Sequence, residues 1–241
     1  MNRKIRAIFF DAGNTLLYPR LDLAAQVLVK HGYSASEEDF LAAERFGKKK
    51  LDEWLWPQIR RGEVPRHIDH YYWLEYFRHL MNRIQAPRSR HESLTHQVAE
   101  TFRDIQTWSR VFPEAAPYLE SLRSQGYFLG VISNSVGTIE EQLQRMGLKK
   151  YFHTVLDSAI VGVEKPHPEI FQLAISQAGC KAPEAVFVGD TYATDVGGAQ
   201  LSGLFGVLID RVGAYPDAEC PRISTLPDLS RVLSKAEGAP G

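Results

Sequence analysis

Cysteine is scarce in this chain of 241 residues: there are two, Cys180 and Cys220. Neither has a neighbour at metal-ligand spacing, so a zinc site is excluded and no disulfide framework is expected. Net charge is nearly absent as well, at −1. A chain without a field of either sign has no means of drawing in nucleic acid or an anionic membrane, and neither is expected as a partner. No apolar run approaches the roughly 20 residues of a membrane span. The opening "MNRK" leads straight into a strand-like run, with no secretory signal pattern. These absences together point to a cytoplasmic protein, and a monomer or homodimer is expected.

What is present is a set of short, continuous apolar runs. "IRAIFFD" (5–11), "YFLGVIS" (127–133), "AVFVGD" (185–190) and "LFGVLID" (204–210) read as strands buried on both faces, and "HTVLDSAIV" (153–161) as a weaker one. Between them lie helical patterns. "PEAAPYLESLRSQG" and "GTIEEQLQRMG" each stop at a glycine, and "HPEIFQLAISQAG" has Pro168 in its first turn and Gly179 past its end. Strands alternating with helices predict an α/β fold with a doubly wound parallel sheet.

The spacing between the first two strands is anomalous. A strand–helix–strand unit takes ~30 residues, yet a segment several times longer separates Asp11 from Tyr127. An insertion is therefore placed at 17–110, leaving residues 1–16 and 111–241 as the α/β core. All four tryptophans and six of the eight histidines fall inside it, which marks it as a separately composed unit. "LAAQVLVKHG", "EEDFLAAERFGKKKLDEWL" and "DHYYWLEYFRHLMNRI" carry helical periodicity, so the insertion is expected to be an α-helical cap over one edge of the sheet.

Ligands of open parallel sheets bind outside the carboxyl ends of the strands. Three of the four strong strands end on an acid, Asp11, Asp190 and Asp210; the other ends on Ser133, followed by Asn134. Each such residue taken alone is most simply a cap for the next helix. Taken jointly, Asp11, Ser133 and Asp190 converge on one mouth if the first strand is central. Two carboxylates facing each other need a cation, and hard oxygens with room for water suit Mg²⁺, which recruits phosphate oxygens as further ligands. Lys165 in "GVEKPHPEIF" would hold an anionic substrate, although by itself it reads as a solvated loop lysine.

These segments, Asp11-Ala12-Gly13-Asn14-Thr15-Leu16, "VISNS", "EKPHPEIF" and "VGDTYATDVGGAQLSG", resemble the four motifs of the haloacid dehalogenase-like hydrolases, in order and across the whole core. The position of the insertion resembles the branch with a helical cap between the first and second motifs. The resemblance implies that Asp11 is a nucleophile forming an aspartyl-phosphate. Ser133 and the backbone around Asn134 would hold phosphoryl oxygens, and Lys165 would neutralise charge in the transition state. Mg²⁺ would be held by Asp11, the backbone carbonyl of Gly13 and Asp190. Asp195 would belong to the same metal site, acting through a water or orienting Lys165. The function implied is a Mg²⁺-dependent phosphatase of a small phosphorylated metabolite.

Two positions depart from the family pattern. Where the phosphatases carry a second aspartate, the general acid, this chain has Gly13; the next residue, usually glycine, is Asn14. General acid–base help is worth ~10²–10⁴-fold, and three readings remain open. A cap group such as His67, His70 or Tyr18, or a water, supplies the proton to a working phosphatase, or its leaving groups need none. The chain belongs with the branch that cleaves carbon–phosphorus bonds through a cap lysine, with Lys48, Lys49 and Lys50 as candidates, although three consecutive lysines on a helix read as a solvated face. Or it is a weakened protein that binds a phosphorylated ligand or a partner. The metal-free dehalogenase branch has no use for the carboxylate of Asp190. Trp54, Trp56, Tyr71, Tyr72, Trp73, Tyr76 and Phe77 read mainly as the core of the cap, and Asp210 as a structural strand end.

Overall fold

The computed structural model of the chain describes residues 4–68 and 71–238. Its first strand, β1 (Ala7–Phe10), is buried on both faces because its side chains alternate. Ile8 and Phe10 enter one hydrophobic layer, Ala7 and Phe9 the other. The chain then forms β2 (Leu17–Tyr18) and four helices, α1 (Leu21–Lys30), α2 (Glu37–Arg60), α3 (Tyr71–Arg83) and α4 (Arg88–Thr101), and returns through β3 (Arg110–Val111). Next come α5 (Ala115–Ser124), β4 (Phe128–Ser133), α6 (Ile139–Arg145), β5 (Thr154–Asp157), α7 (Ser158–Val161) and α8 (Pro168–Ala178). The last elements are β6 (Ala185–Gly189), α9 (Gly198–Leu201), β7 (Phe205–Ile209), β8 (Arg222–Ile223) and α10 (Leu229–Ala236).

Among the described residues the main sheet runs β5-β4-β1-β6-β7-β8, with every neighbouring pair parallel. Helices cover both sides. Leu119 and Leu122 of α5, Leu143 of α6 and Leu229 and Leu233 of α10 pack on the face of Ile8 and Phe10. Ile170, Phe171 and Ala174 of α8 and Ala199 of α9 pack on the face of Phe9. Burying one such Leu, Ile or Phe side chain contributes about 1.5–3 kcal/mol. The chain turns outward from β1 through β4 to β5 and then crosses to β6 on the other side of β1. This reversal opens a crevice at the carboxyl ends of β1, β4 and β6.

The predicted helices of the core start and stop close to their punctuation. Pro168 opens α8, the His167 ring accepts from the Glu169 N–H, and Gly179 ends it at φ +58°. One predicted strand is too long: 153–161 is β5 only as far as Asp157, and the rest is α7. The Asp157 carboxylate accepts the N–H groups of Gly137, Ile139 and Ala159, which stops the strand and starts the helix. The two-residue strands β2, β3 and β8 are too short to leave a periodic signal.

Residues between β2 and β3 form a helical insertion with its own hydrophobic cluster, including Leu28, Phe40, Phe77, Leu80, Met81, Leu94 and Val98. It leaves and re-enters on two antiparallel strands, with Leu17 opposite Val111 and Tyr18 opposite Arg110. Helix α2 starts at a capping box in which Ser36 and Asp39 exchange hydrogen bonds, and its 24 residues make it about 36 Å long. Of the aromatic residues expected in the insertion's core, Phe77 is fully inside. The side chains of Tyr71, Tyr72 and Trp73 lie outside the described set. Trp54 and Trp56 instead join Leu51, Leu55, Ile59 and Ile68 in a second cluster that reaches Ala193 of the α/β core. No helix among the described residues is long and apolar enough to cross a membrane.

Candidate active site

Strand β1 delivers Asp11 to the crevice, anchored by its N–H donating to the Val188 carbonyl at 2.8 Å. Lys165 reaches it from the loop before α8. Its Nζ lies 2.5 Å from Asp11 Oδ1 and 2.8 Å from Asp195 Oδ1, and 5.0 Å from the centroid of the Phe187 ring. At 2 % exposure this is not the solvated loop lysine that its sequence context suggests. Burial alone would strip its charge, but Asp11 and Asp195 outweigh burial, and its pKa is raised. The Asn134 side chain holds the lysine's backbone from both sides: the Lys165 N–H donates to Asn134 Oδ1 at 2.8 Å, and Asn134 Nδ2 donates to the Lys165 carbonyl at 2.9 Å. Ser133 sits buried at the end of β4, beside β1.

Strand β6 brings in the acids of the fourth motif. Asp190 follows the strand, and Asp195 lies in a π-helical turn, Tyr192–Gly197, where it accepts the Thr191 N–H at 2.9 Å. Asp195 thus faces Lys165 and the loop backbone. Asp190 faces the helical insertion. There Lys48 of α2 places its Nζ 2.9 Å from Asp190 Oδ2 and 2.7 Å from Glu44 Oε1. The expectation of a solvated lysine face is corrected at this residue: Lys49 is exposed and Lys50 pairs with Glu53, but Lys48 is buried. Burial acts against its charge, and Asp190 and Glu44 overcome it, raising the pKa.

The turn after Asp11 carries both departures from the family pattern. Gly13 has ordinary negative φ, and the left-handed residue is Asn14, at φ +53°. The glycine is needed for a close approach: a Cβ there would lie 3.1 and 3.3 Å from two carbons of the Trp108 ring. Trp108 therefore fills the space that a side chain at 13 would enter, with its Nε1–H donated to the Phe102 carbonyl at 2.9 Å. Asn14 donates from Nδ2 to Glu44 Oε1 at 3.2 Å, so a carboxylate from α2 hangs over the turn.

Four carboxylates (Asp11, Asp190, Asp195, Glu44) meet two ammoniums (Lys165, Lys48) at this mouth. The shortage of positive charge is visible at Asp11, whose pKa is pushed up to about 7, first by burial and then by Asp195 and Asp190, against the pull of Lys165. Beyond Lys48, α2 continues down the fourth motif. Asp52 accepts the Ala193 N–H at 2.9 Å, and Trp56 packs on Gly197, where a Cβ would come within 2.5 Å of the indole. Tyr215 touches Asp52 and accepts the Tyr192 N–H through its hydroxyl.

Several residues singled out in the sequence stay away from this cluster. His67 is exposed beside Glu164, His70 lies outside the described residues, and Tyr18 packs on Phe112 under Arg110. Asp210 turns inward to accept the N–H groups of Ala214 and Tyr215. Cys180 and Cys220 are both free. Glu44, Lys48, Asp52 and Trp108 border this cluster, and of these the sequence singles out Lys48 alone, as a candidate cap lysine. The first three repeat every four residues along α2, which puts them on one face, but a run of charge at helical spacing ordinarily signals solvent. Trp108 lies after the last helix of the insertion, where periodicity gives no help.

The sequence profile of the haloacid dehalogenase-like hydrolases matches residues 5–203. A glyceraldehyde 3-phosphate phosphatase of Methanopyrus kandleri is 31% identical over 230 residues, 93% of this chain and 92% of the relative. A ribulose-1,5-bisphosphate 5-phosphatase of Halopiger xanaduensis is 30% identical over 211 residues, 85% of this chain and 84% of the relative. Among solved structures, a phosphatase of the same superfamily from Thermococcus onnurineus superposes with a TM-score of 0.56 at 25% identity, covering 95% of this chain and 98% of its own.

Proposed function

The chain belongs to the haloacid dehalogenase-like hydrolases, and on that premise we propose that it is a Mg²⁺-dependent phosphatase of small phosphorylated metabolites, with Asp11 as the nucleophile. The observation that carries the reading is the Asp11–Lys165–Asp195 chain of contacts with Asp190 beside it. The Asp11 carboxylate attacks phosphorus, the bond to the ester oxygen breaks, and an aspartyl-phosphate is left for water to cleave. Lys165 stabilises the charge that develops on the phosphoryl oxygens. Asp195 fixes its ammonium, and the Asn134 side chain fixes its backbone. Ser133 and the backbone beyond it contribute the opposing hydrogen bonds. Residues 17–110 act as a cap that excludes water while the chemistry proceeds.

The residues fit Mg²⁺. The donors are hard carboxylate oxygens in a site short of positive charge, and Lys48 already sets a cation against Asp190. Asp11, Asp190 and the Gly13 carbonyl would hold the Mg²⁺ ion. When bound, the ion would supply positive charge against the phosphoryl oxygens. The relatives named as phosphatases support the reaction class. A carbon–phosphorus hydrolase would need a neutral amine on the cap, and Lys48 is instead held charged by two carboxylates.

The test is turnover of a panel of phosphate esters by wild type and Asp11→Asn, each in Mg²⁺ and in chelator. Turnover confined to wild type with Mg²⁺ is expected. Equal rates in chelator, or an active Asp11→Asn enzyme, would sink the reading, and ligand binding without turnover would favour a non-catalytic role.

A further inference from the structure

We propose that Lys48 of α2 is a tethered counter-ion that competes with Mg²⁺ for Asp190, so that the helical insertion sets the metal affinity of the site; the inference rests on the Mg²⁺ reading above. Lys48 reaches Asp190 from the insertion, with its Nζ 2.9 Å from Oδ2. Its side chain is 6 % exposed and that of Asp190 10 %, so salt in the surrounding water screens the pair little. The other ammonium at the mouth, Lys165, lies on Asp11 and Asp195. Asp190 is therefore neutralised from the insertion, by a charge that stands on a carboxylate offered to the metal. A dication approaching Asp190 takes the oxygen that Lys48 holds, or takes the other oxygen and faces a buried like charge. Either way its entry is opposed.

The same helix gives the ammonium a second partner. Glu44 lies one turn earlier on the same face, with Oε1 2.7 Å from the same Nζ. Lysine is a compact charge on a flexible four-carbon stem, whereas Asp190 directly follows β6, so the lysine is the partner that yields. Glu44 keeps it paired once Asp190 is given to the metal. Asn14 donates to the same Glu44 oxygen at 3.2 Å, which ties the turn carrying the Gly13 carbonyl to this pair. Without metal, Lys48 stabilises a carboxylate that would otherwise be buried without a partner. By linkage, Mg²⁺ weakens the hold of α2 on Asp190 by the factor by which that hold weakens Mg²⁺ binding.

Isothermal titration calorimetry with MgCl₂, in the absence of any phosphate ester, tests this on wild type, Glu44→Gln and the double variant Lys48→Met/Glu44→Gln. The double variant removes one charge of each sign, so the general attraction of the site for a dication is that of wild type. Competition predicts that it binds Mg²⁺ more tightly than wild type, by ~5–150-fold, the usual range of coupling between two binding events. Loss of a merely structural lysine would loosen the metal instead. Glu44→Gln, the milder change, should bind Mg²⁺ more weakly, because the ammonium then has Asp190 as its remaining carboxylate. Lys49→Met removes the exposed lysine next to Lys48 and should bind as wild type does. A double variant no tighter than wild type, a Glu44→Gln protein as tight as wild type, or Lys49→Met as tight as the double variant overturns the role of Lys48, while Mg²⁺ binding by wild type leaves the metal reading standing. No Mg²⁺ binding by wild type and double variant alike, or binding that Asp190→Asn leaves intact, overturns both.

Discussion

An aspartate at position 13 would restore the motif that the phosphatases carry, and the structure says it would crowd Trp108. Its Cβ would stand 3.1 and 3.3 Å from two carbons of Trp108, inside the ~3.5–4.0 Å at which carbon pairs are at rest. The backbone there is not strained, so the cost is one of packing. Overpacking of this size costs about 1–3 kcal/mol. For a chain of this length each kcal/mol lowers the melting temperature by roughly 2–4 °C. Gly13→Asp should therefore melt ~2–12 °C below wild type and gain no rate on alkyl esters. The penalty should shrink when Trp108→Ala is already present, with a coupling of ~0.5–3 kcal/mol in a double-mutant cycle. A Gly13→Asp protein that melts with wild type and speeds alkyl phosphates, with Trp108 intact, would refute the indole ring as the reason for the glycine.

Lys165→Met removes the one cation shared by Asp11 and Asp195; kcat should fall by ~10²-fold or more, and urea denaturation at pH 8 should show a loss of ~3–5 kcal/mol from the buried acids left behind. A normal kcat would show the lysine to be structural. Asp52, pushed up to about 7 by burial in spite of the Ala193 N–H it accepts, binds its proton more tightly folded than unfolded. Its contribution to stability is therefore complete below the ordinary carboxylate pKa of ~3.9 and is lost as pH rises through about 7. Asp52→Asn should gain in melting temperature relative to wild type as pH rises from about 4 to about 7, and parallel curves would remove Asp52 from the account.

The sheet and the residues at its mouth were legible because each leaves a local mark. A strand buried on both faces is a continuous apolar run, and the residue ending it is the one the crevice sees, as at Asp11, Ser133 and Asp190. The fate of Lys165 was not legible, since "EKP" says nothing of the buried acids that meet it from β1 and the π-helical turn. Asn134 is expected near the phosphoryl group through its backbone, and the sequence does not disclose that its side chain holds a loop 31 positions away. On α2 the ambiguity is physical. Glu44, Lys48 and Asp52 form a polar stripe bordering the apolar one, and whether it faces water or a second body depends on what stands opposite. The same holds for Gly13, whose reason is the ring of Trp108.

The fit of Trp56 on Gly197, with Asp52 on the Ala193 amide and Lys48 on Asp190, bears on how such a protein can be recombined. An insertion transplanted from a relative would bring its own residue to position 56, and it would land on a motif whose glycine has been fitted to an indole. With a smaller residue the graft leaves a void over the π-helical turn; with tryptophan it demands that the recipient have nothing larger than glycine at 197. The two segments are therefore fitted to each other, so exchange of specificity by swapping the insertion alone should yield poorly assembled chimeras unless residues 190–197 travel with it.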